Sequence, residues 1–187
     1  MKVQTMSAQT QTKKTIQPSD CSATTARHDN RAATPLNPAI QRAWKLIKQD
    51  NYLGAANVLI TAGRDPQVRN TLGVCFMRAG RAESAAELYR GFVLMQGSLR
   101  ERPNICNAYK RNFATALFMN GLPSGALSVL RDTREPSHPR AIQLYAAIKD
   151  WEKSLPWFQR LDWILNGVEP ANSSISLQFE PGEFDFD

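Results

Sequence analysis

Apolar side chains recur at helical spacing from about residue 36 onward, and large ones are nearly absent before it. Ile40, Ala43, Trp44 and Ile47 obey the i, i+3, i+4, i+7 rule, which lays a single apolar stripe along a helix. Gln49-Asp50-Asn51 is a turn, and Leu53, Ala56, Val58, Leu59 and Ile60 carry a second helix that stops at Ala62-Gly63. Asp65-Pro66 restarts the chain, because Asp is a favoured N-cap and Pro is preorganised for the first helical position. Val68, Leu72, Cys75 and Phe76 stripe the next helix up to Ala79-Gly80, and its partner runs from Glu83 to Met95. After a charged connection, a third pair occupies Ala108 to Met119 and Ser124 to Leu130, around a turn at Asn120-Gly121-Leu122-Pro123. A fourth is expected over Arg140 to Lys149 and Trp151 to Leu165. No segment before residue 175 alternates with the period of two that a half-buried strand requires, so the predicted class is all-α.

The ends differ from this middle. Residues 1–35 are mostly Thr, Ser, Gln and Ala, too poor in apolar area to offset the entropy of ordering, and are expected to be disordered. Residues 36–167 form the helical domain. Residues 168–187 are expected to be an acidic, flexible tail with Leu177, Phe179, Phe184 and Phe186 spaced among its acids. A solubilising end is the favoured reading of that tail; docking on the body as a lid, or on a second copy, is the alternative.

Comparing the pairs with one another exposes a repeat. Leu72-Gly73-x2-Phe76-x3-Gly80-x4-Ala85-x3-Tyr89 in the second pair matches Phe113-Ala114-x2-Leu117-x3-Gly121-x4-Ala126-x3-Leu130 in the third. Weaker copies stand at Ala43-x2-Leu46 with Tyr52-x2-Ala55-x3-Leu59, and at Trp151-x2-Ser154-x3-Phe158. The small residues permit close helix approach, the large ones fill the remaining space, and the turn glycine supplies a backbone conformation other residues resist.

This pattern resembles the tetratricopeptide repeat family, over roughly residues 36–165. Arg69 and Lys110 replace the family's leading Trp, and units starting near 36, 66, 107 and 135 are unevenly stepped against a family period of ~34. The resemblance implies antiparallel helix hairpins stacked as a short solenoid, with a concave groove that holds a peptide or helix of a partner. On that groove it places Trp44, Ile47, Lys48, Asn70, Val74, Met77, Arg78, Arg111, Asn112, Thr115, Phe118 and Met119. Core packing is the competing role for Trp44, Val74, Met77 and Phe118. Some family members clamp a partner's C-terminal carboxylate. Asn70, Arg111 and Asn112 match part of that clamp, but Val74 stands where a second amide belongs, so a mixed apolar and basic groove is expected instead. Such a groove is similar to that of the small cytosolic chaperones of bacterial type III secretion.

Charge adds a second class of function. The net +6 divides into +3 over residues 1–35, +8 over 36–167 and −5 over 168–187. Arg78, Arg81, Arg90, Arg100, Arg102, Lys110 and Arg111 make the middle basic, which admits nucleic acid, although no nucleic-acid motif is present and Arg81 and Arg90 have Glu83 and Glu87 as expected partners. Protein binding therefore ranks ahead of it, with self-association also allowed. Catalysis is not expected: His28 and His138 lie in polar segments, and no nucleophile–base pairing, metal-ligand spacing or phosphate loop can be assembled. No cofactor or metal is expected. Three cysteines, Cys21, Cys75 and Cys106, form no CxxC pair or framework; Cys75 and Cys106 are read as buried thiols in helices, consistent with a cytoplasmic chain. No apolar run approaches the ~20 residues that span a bilayer.

Overall fold

A computed structural model describes residues 37–95, 97, 102, 105–170 and 175–185. The expectations for residues 1–35, including His28 and Cys21, and for Arg100 and Phe186 lie outside those residues. Among the described residues there are eight α-helices and no strand: α1 Pro38–Ile47, α2 Tyr52–Leu59, α3 Pro66–Arg78, α4 Ala82–Val93, α5 Asn107–Met119, α6 Pro123–Thr133, α7 Pro139–Ser154 and α8 Trp157–Asn166. Four of the starts are set by the side chain of the N-cap residue. Asn37 Oδ1 accepts from Ala39 N at 2.9 Å, Asn51 Oδ1 from Gly54 N at 2.9 Å and Asp65 Oδ1 from Gln67 N at 2.9 Å. His138 has the same task on α7, its Nδ1 accepting from Arg140 N at 3.2 Å.

The sequence repeat has a geometric counterpart at the helix ends. After α3, Gly80 N donates to Met77 O and Arg81 N to Phe76 O; after α5, Gly121 N donates to Phe118 O and Leu122 N to Leu117 O. Both glycines take positive φ, +74° and +77°, as this paired closing bond pattern demands.

Consecutive helices from α1 to α7 pack on one another, and α1, α3, α5 and α7 also touch in series. The odd-numbered helices thus share one side of the molecule. The small residues of the repeat sit at the helix crossings: Ala43, Ala55, Ala85, Ala114 and Ala126 are all fully buried. At Gly73 an added Cβ would lie 2.5 Å from the Tyr89 ring, so only glycine lets α4 bring that ring against α3.

Three expectations need correction. The fourth pair does not break near Asp150: α7 continues to Ser154, and Trp151 is a buried residue inside it. Nothing in Lys149-Asp150 stops a helix, whereas Pro156 forces Leu155 out of helical conformation (ψ 142°) and so ends the element. The following helix, α8, has no buried residue; Trp163 rests on Trp151 with ring centroids 5.3 Å apart, while Trp157, Phe158, Leu161, Ile164 and Leu165 face outward. Finally, Cys106 is not a thiol within a helix. It caps α5 and is disulfide-bonded, which removes the cysteine argument for a reducing compartment. Cys75 is buried and free, and burial pushes its thiol up to about 12. Among the described residues, no helix is long and apolar enough to cross a membrane.

Candidate functional site

The side formed by α1, α3 and α5 carries polar side chains where a simple core would carry apolar ones. Asn70 on α3 is 0% exposed, and Asn112 and Arg111 on α5 are 2% and 6% exposed. Polar groups taken out of water at this depth require partners. The helices supply only some. Tyr89 Oη, buried beneath α3, donates to Asn70 Oδ1 at 2.9 Å and is also 3.1 Å from Asn70 O; Asn112 Nδ2 donates to the same Oδ1 at 2.8 Å. These bonds orient both amides and leave Asn70 Nδ2 and Asn112 Oδ1 aimed outward.

The remaining partners come from the C-terminal segment. Residues 175–185 lie against this face, with Ile175, Leu177 and Phe179 packed on the core and Gly182 and Phe184 buried. Asn112 grips one residue by its main chain: its Nδ2 donates to Glu183 O at 2.9 Å and its Oδ1 accepts from Glu183 N at 2.9 Å. Asn70 Nδ2 donates to Asp185 Oδ1 at 2.6 Å, and Tyr109 Oη to Asp185 Oδ2 at 2.7 Å. Arg111 Nε donates to Glu183 Oε1 at 2.7 Å, while its Nη1 is held by Glu135. Glu135 is in turn fixed by Asn107 Nδ2 at 2.8 Å, so Arg111 is positioned by residues that do not depend on the tail.

Further along, Arg78 serves several groups at once. It donates to the carbonyls of Pro181 and Gly182, each at 3.2 Å, and pairs with Glu180 at 2.6 Å. Its guanidinium lies 4.5 Å from the centre of the Phe184 ring, and Trp44 meets that ring edge-on at 5.8 Å. Gly182 has φ +77°, and a Cβ there would come 2.7 Å from Met77 Cε and 3.0 Å from Val74 Cγ2. The backbone thus descends onto Val74 and Met77 where only glycine fits. Arg140 on α7 and Tyr52 on α2 close the rim: Arg140 donates to Glu180 O at 3.2 Å, and Tyr52 Oη, which donates to Asp50 Oδ1 at 2.8 Å, lies 3.4 Å from Glu180 Oε1. Upstream, Glu169 accepts from Ser124 N at 2.9 Å and caps α6, whose own N-cap residue makes no side-chain bond.

The electrostatics of the site are set by burial. Asp185 is raised from its usual value to about 6, chiefly by burial and further by Glu183 and Asp65, against the lowering hydrogen bonds from Tyr109 and Asn70. Burial and the Asp185 charge raise the Tyr109 phenol, and Tyr89 is raised well above its ordinary value by burial. The two phenols therefore keep their protons, Tyr109 to donate to Asp185 and Tyr89 to donate to Asn70.

Of the twelve residues expected on this face, seven meet the tail: Trp44, Asn70, Val74, Met77, Arg78, Arg111 and Asn112. Five do not. Ile47 and Phe118 are core residues, Phe118 packing edge-on against Trp151 at 6.2 Å, because α1 and α5 turn those positions towards their neighbours. Thr115 Oγ1 donates back to Arg111 O at 2.9 Å, Met119 packs partly on the core, and exposed Lys48 reaches only the Trp44 ring at 5.6 Å. Tyr52, Tyr109, Glu135 and Arg140 belong to the site but were not expected on the groove. Each lies on a different element, at a helix end or in a loop, where no periodicity marks it.

A separate cleft of about 760 Å³ lies beside α4, lined by Arg64, Arg69, Arg90 and Arg102 with Phe92, Leu94 and Ile105. Arg81 and Arg90 form no ion pair with Glu83 or Glu87, contrary to expectation. Among the described residues no group of His, Cys, Asp and Glu is arranged to hold a metal ion. Compared with family models, curated proteins and solved structures, the chain matches none of them.

Proposed function

We propose that this chain is a non-enzymatic protein–protein interaction module, a short helical-repeat adaptor similar to tetratricopeptide-repeat proteins, which binds an extended segment of a partner along α1, α3 and α5. The observation that carries this reading is the two-bond grip of Asn112 on the main chain of Glu183. A side-chain amide that both donates to and accepts from one residue's backbone recognises polypeptide as such, whatever its side chains. Arg78 adds two further bonds to main-chain carbonyls. The same face supplies pockets for particular side chains, so affinity and selectivity have separate sources.

A chaperone that shields an apolar segment of a secreted protein is the narrower version of this reading. Within residues 180–185 three carboxylates surround a single buried Phe, which favours an adaptor for an acidic sequence over a holder of purely apolar chain.

The test is calorimetric titration of a synthetic peptide spanning Ile175–Asp187 into the full chain bearing Glu183→Ala and Phe184→Ala, which weaken its own tail. One-to-one binding that is lost on adding Asn112→Ala supports the reading. Binding that is indifferent to Asn112→Ala refutes it.

A further inference from the structure

The tail does more than fill space: its order of residues matches the order of groups on the helices. Glu180 meets Arg78 at the rim, Gly182 descends onto Val74 and Met77, Glu183 meets Arg111, Phe184 enters between Trp44 and Arg78, and Asp185 reaches Asn70 and Tyr109. Exposure alternates along the segment: Glu180 is largely open, Gly182 and Phe184 are buried, and Pro181, Glu183 and Asp185 are half-buried. When the tail leaves, Asn70 Nδ2 and Asn112 Oδ1 lose their only partners among the described residues, and Arg111 keeps only Glu135. The face is therefore complementary to one pattern: carboxylate, Pro-Gly bend, carboxylate, aromatic, carboxylate.

Building on the groove as a peptide site, we propose that its ligand is an acidic extended segment of this pattern on a partner protein, and that residues 180–185 are a built-in copy which the partner must displace. The groups that recognise the ligand are basic, amide and aromatic, and all are occupied by the tail. A short tether places a competing segment at an effective concentration of the order of 1 mM. Against a free-peptide Kd of roughly 10 μM, that self-capping weakens a partner about a hundredfold.

The experiment uses a fluorescent peptide spanning Ile175–Asp187 and two full-length proteins, the natural chain and the Glu183→Ala, Phe184→Ala chain, with circular dichroism confirming equal helicity. A second tail variant, Glu180→Ala with Asp185→Ala, guards against loss of fold in the first. Binding at least tenfold tighter to the tail variants than to the natural chain supports self-capping; equal affinity for all overturns it while leaving the peptide site intact. No binding to any of them overturns both. On the ligand side, peptides carrying Gly182→Ala or Glu183→Gln are expected to bind at least tenfold more weakly. A scrambled peptide of the same composition that binds as well as the parent overturns the ordered pattern. Sedimentation separates the two sources of the tail: a natural chain that is monomeric supports capping within one molecule, whereas a dimer dissociated by the tail substitutions assigns the tail to a second copy and overturns it.

Discussion

Asn70 connects the buried interior to the bound tail. Its Oδ1 accepts from Tyr89 and Asn112, which fixes the amide plane, and its Nδ2 is thereby turned to Asp185. Tyr89→Phe keeps the ring that packs on Gly73 and Phe113 but deletes the hydroxyl. The lost buried hydrogen bonds are expected to cost about 1–2 kcal/mol of stability in chemical denaturation. Because Asn70 then loses part of its orientation, the peptide should also bind severalfold more weakly to a Tyr89→Phe chain with a weakened tail. Unchanged affinity in a destabilised protein would show that Asn112 alone orients Asn70. Asp185 gives a second residue-scale prediction. Its carboxyl is raised to about 6 when docked, so the docked state favours the neutral form. That contribution to docking is fully present below the carboxyl's ordinary value and is lost as pH rises through about 6. The groups facing it are Tyr109 on α5, Asn70 on α3, Asp65 at the N-cap of α3, and Glu183 beside it, so no cation offsets its charge among them. Peptide affinity is expected to be about tenfold higher at pH 5 than at pH 7, and a peptide with Asp185→Asn should abolish the difference. An equal pH dependence in that peptide would place the titration elsewhere.

At the scale of elements, the fold up to Thr133 was legible because local signals and long-range packing agree. Asp65-Pro66 marks the start of α3, and the repeated glycines at 80 and 121 close two helices with the same bonds. Alternating small and large positions specified which faces meet, as Gly73 beneath Tyr89 demonstrates. Gly73→Ala is accordingly expected to destabilise the protein by about 1–3 kcal/mol, measured as a lowered midpoint of thermal unfolding, since neither backbone nor the fully buried Tyr89 ring has room to yield. A neutral result would mean that α3 and α4 are not held at this spacing. Past Thr133 the signals separate. A degenerate small-residue match suggested a hairpin turn near Asp150, but helix continuation needs only the absence of a breaker, and the first breaker is Pro156. The role of α8 was illegible for a related reason: an amphipathic pattern states that one face is apolar, not that anything covers it. With Trp163 as its main anchor on Trp151, α8 is expected to open independently. Trp163→Ala should speed amide exchange in α8 while leaving α1 to α5 protected, and a uniform loss of protection would show that α8 is integral to the core. The groove was legible to the extent that polar residues stood off the repeat positions on α3 and α5. Its rim, drawn from Tyr52, Glu135 and Arg140, depends on chain crossings that no single helix encodes.

Across the whole molecule, charge is sorted: +8 over residues 36–167 faces −5 over residues 168–187. Such sorting raises the question of whether the basic body is meant for nucleic acid, with the tail as a polyanion mimic, and the cleft of Arg64, Arg69, Arg90 and Arg102 gives that idea a location. Among the described residues, none of the tail lines that cleft. The tail lies on the other basic surface, where it uses few charges and much geometry. Of its ion pairs, Arg78–Glu180 is open to solvent at the Glu180 end, while Arg111–Glu183 is largely shielded. Salt screens the first and spares most of the second, since exposed charges are weakened within a Debye length of ~8 Å and buried pairs much less. The amide grip and the Trp44–Phe184 contact involve no charged group for salt to screen. Raising salt from 50 to 200 mM should therefore weaken peptide binding to the tail-weakened full chain only about two- to fivefold, by fluorescence titration. A polyelectrolyte interface that neutralises many phosphates loses ~10³–10⁵ in affinity over the same change. Running a single-stranded oligonucleotide beside the peptide decides between the two. If the oligonucleotide binds tightly, shows the steep salt loss and is displaced by the Ile175–Asp187 peptide, the face read as a peptide groove is a nucleic-acid surface with a mimic in it. If the peptide's shallow dependence persists and Asn112→Ala removes it, main-chain recognition is what the sorted charge serves, and the acidic tail is a ligand chosen for sequence as well as sign.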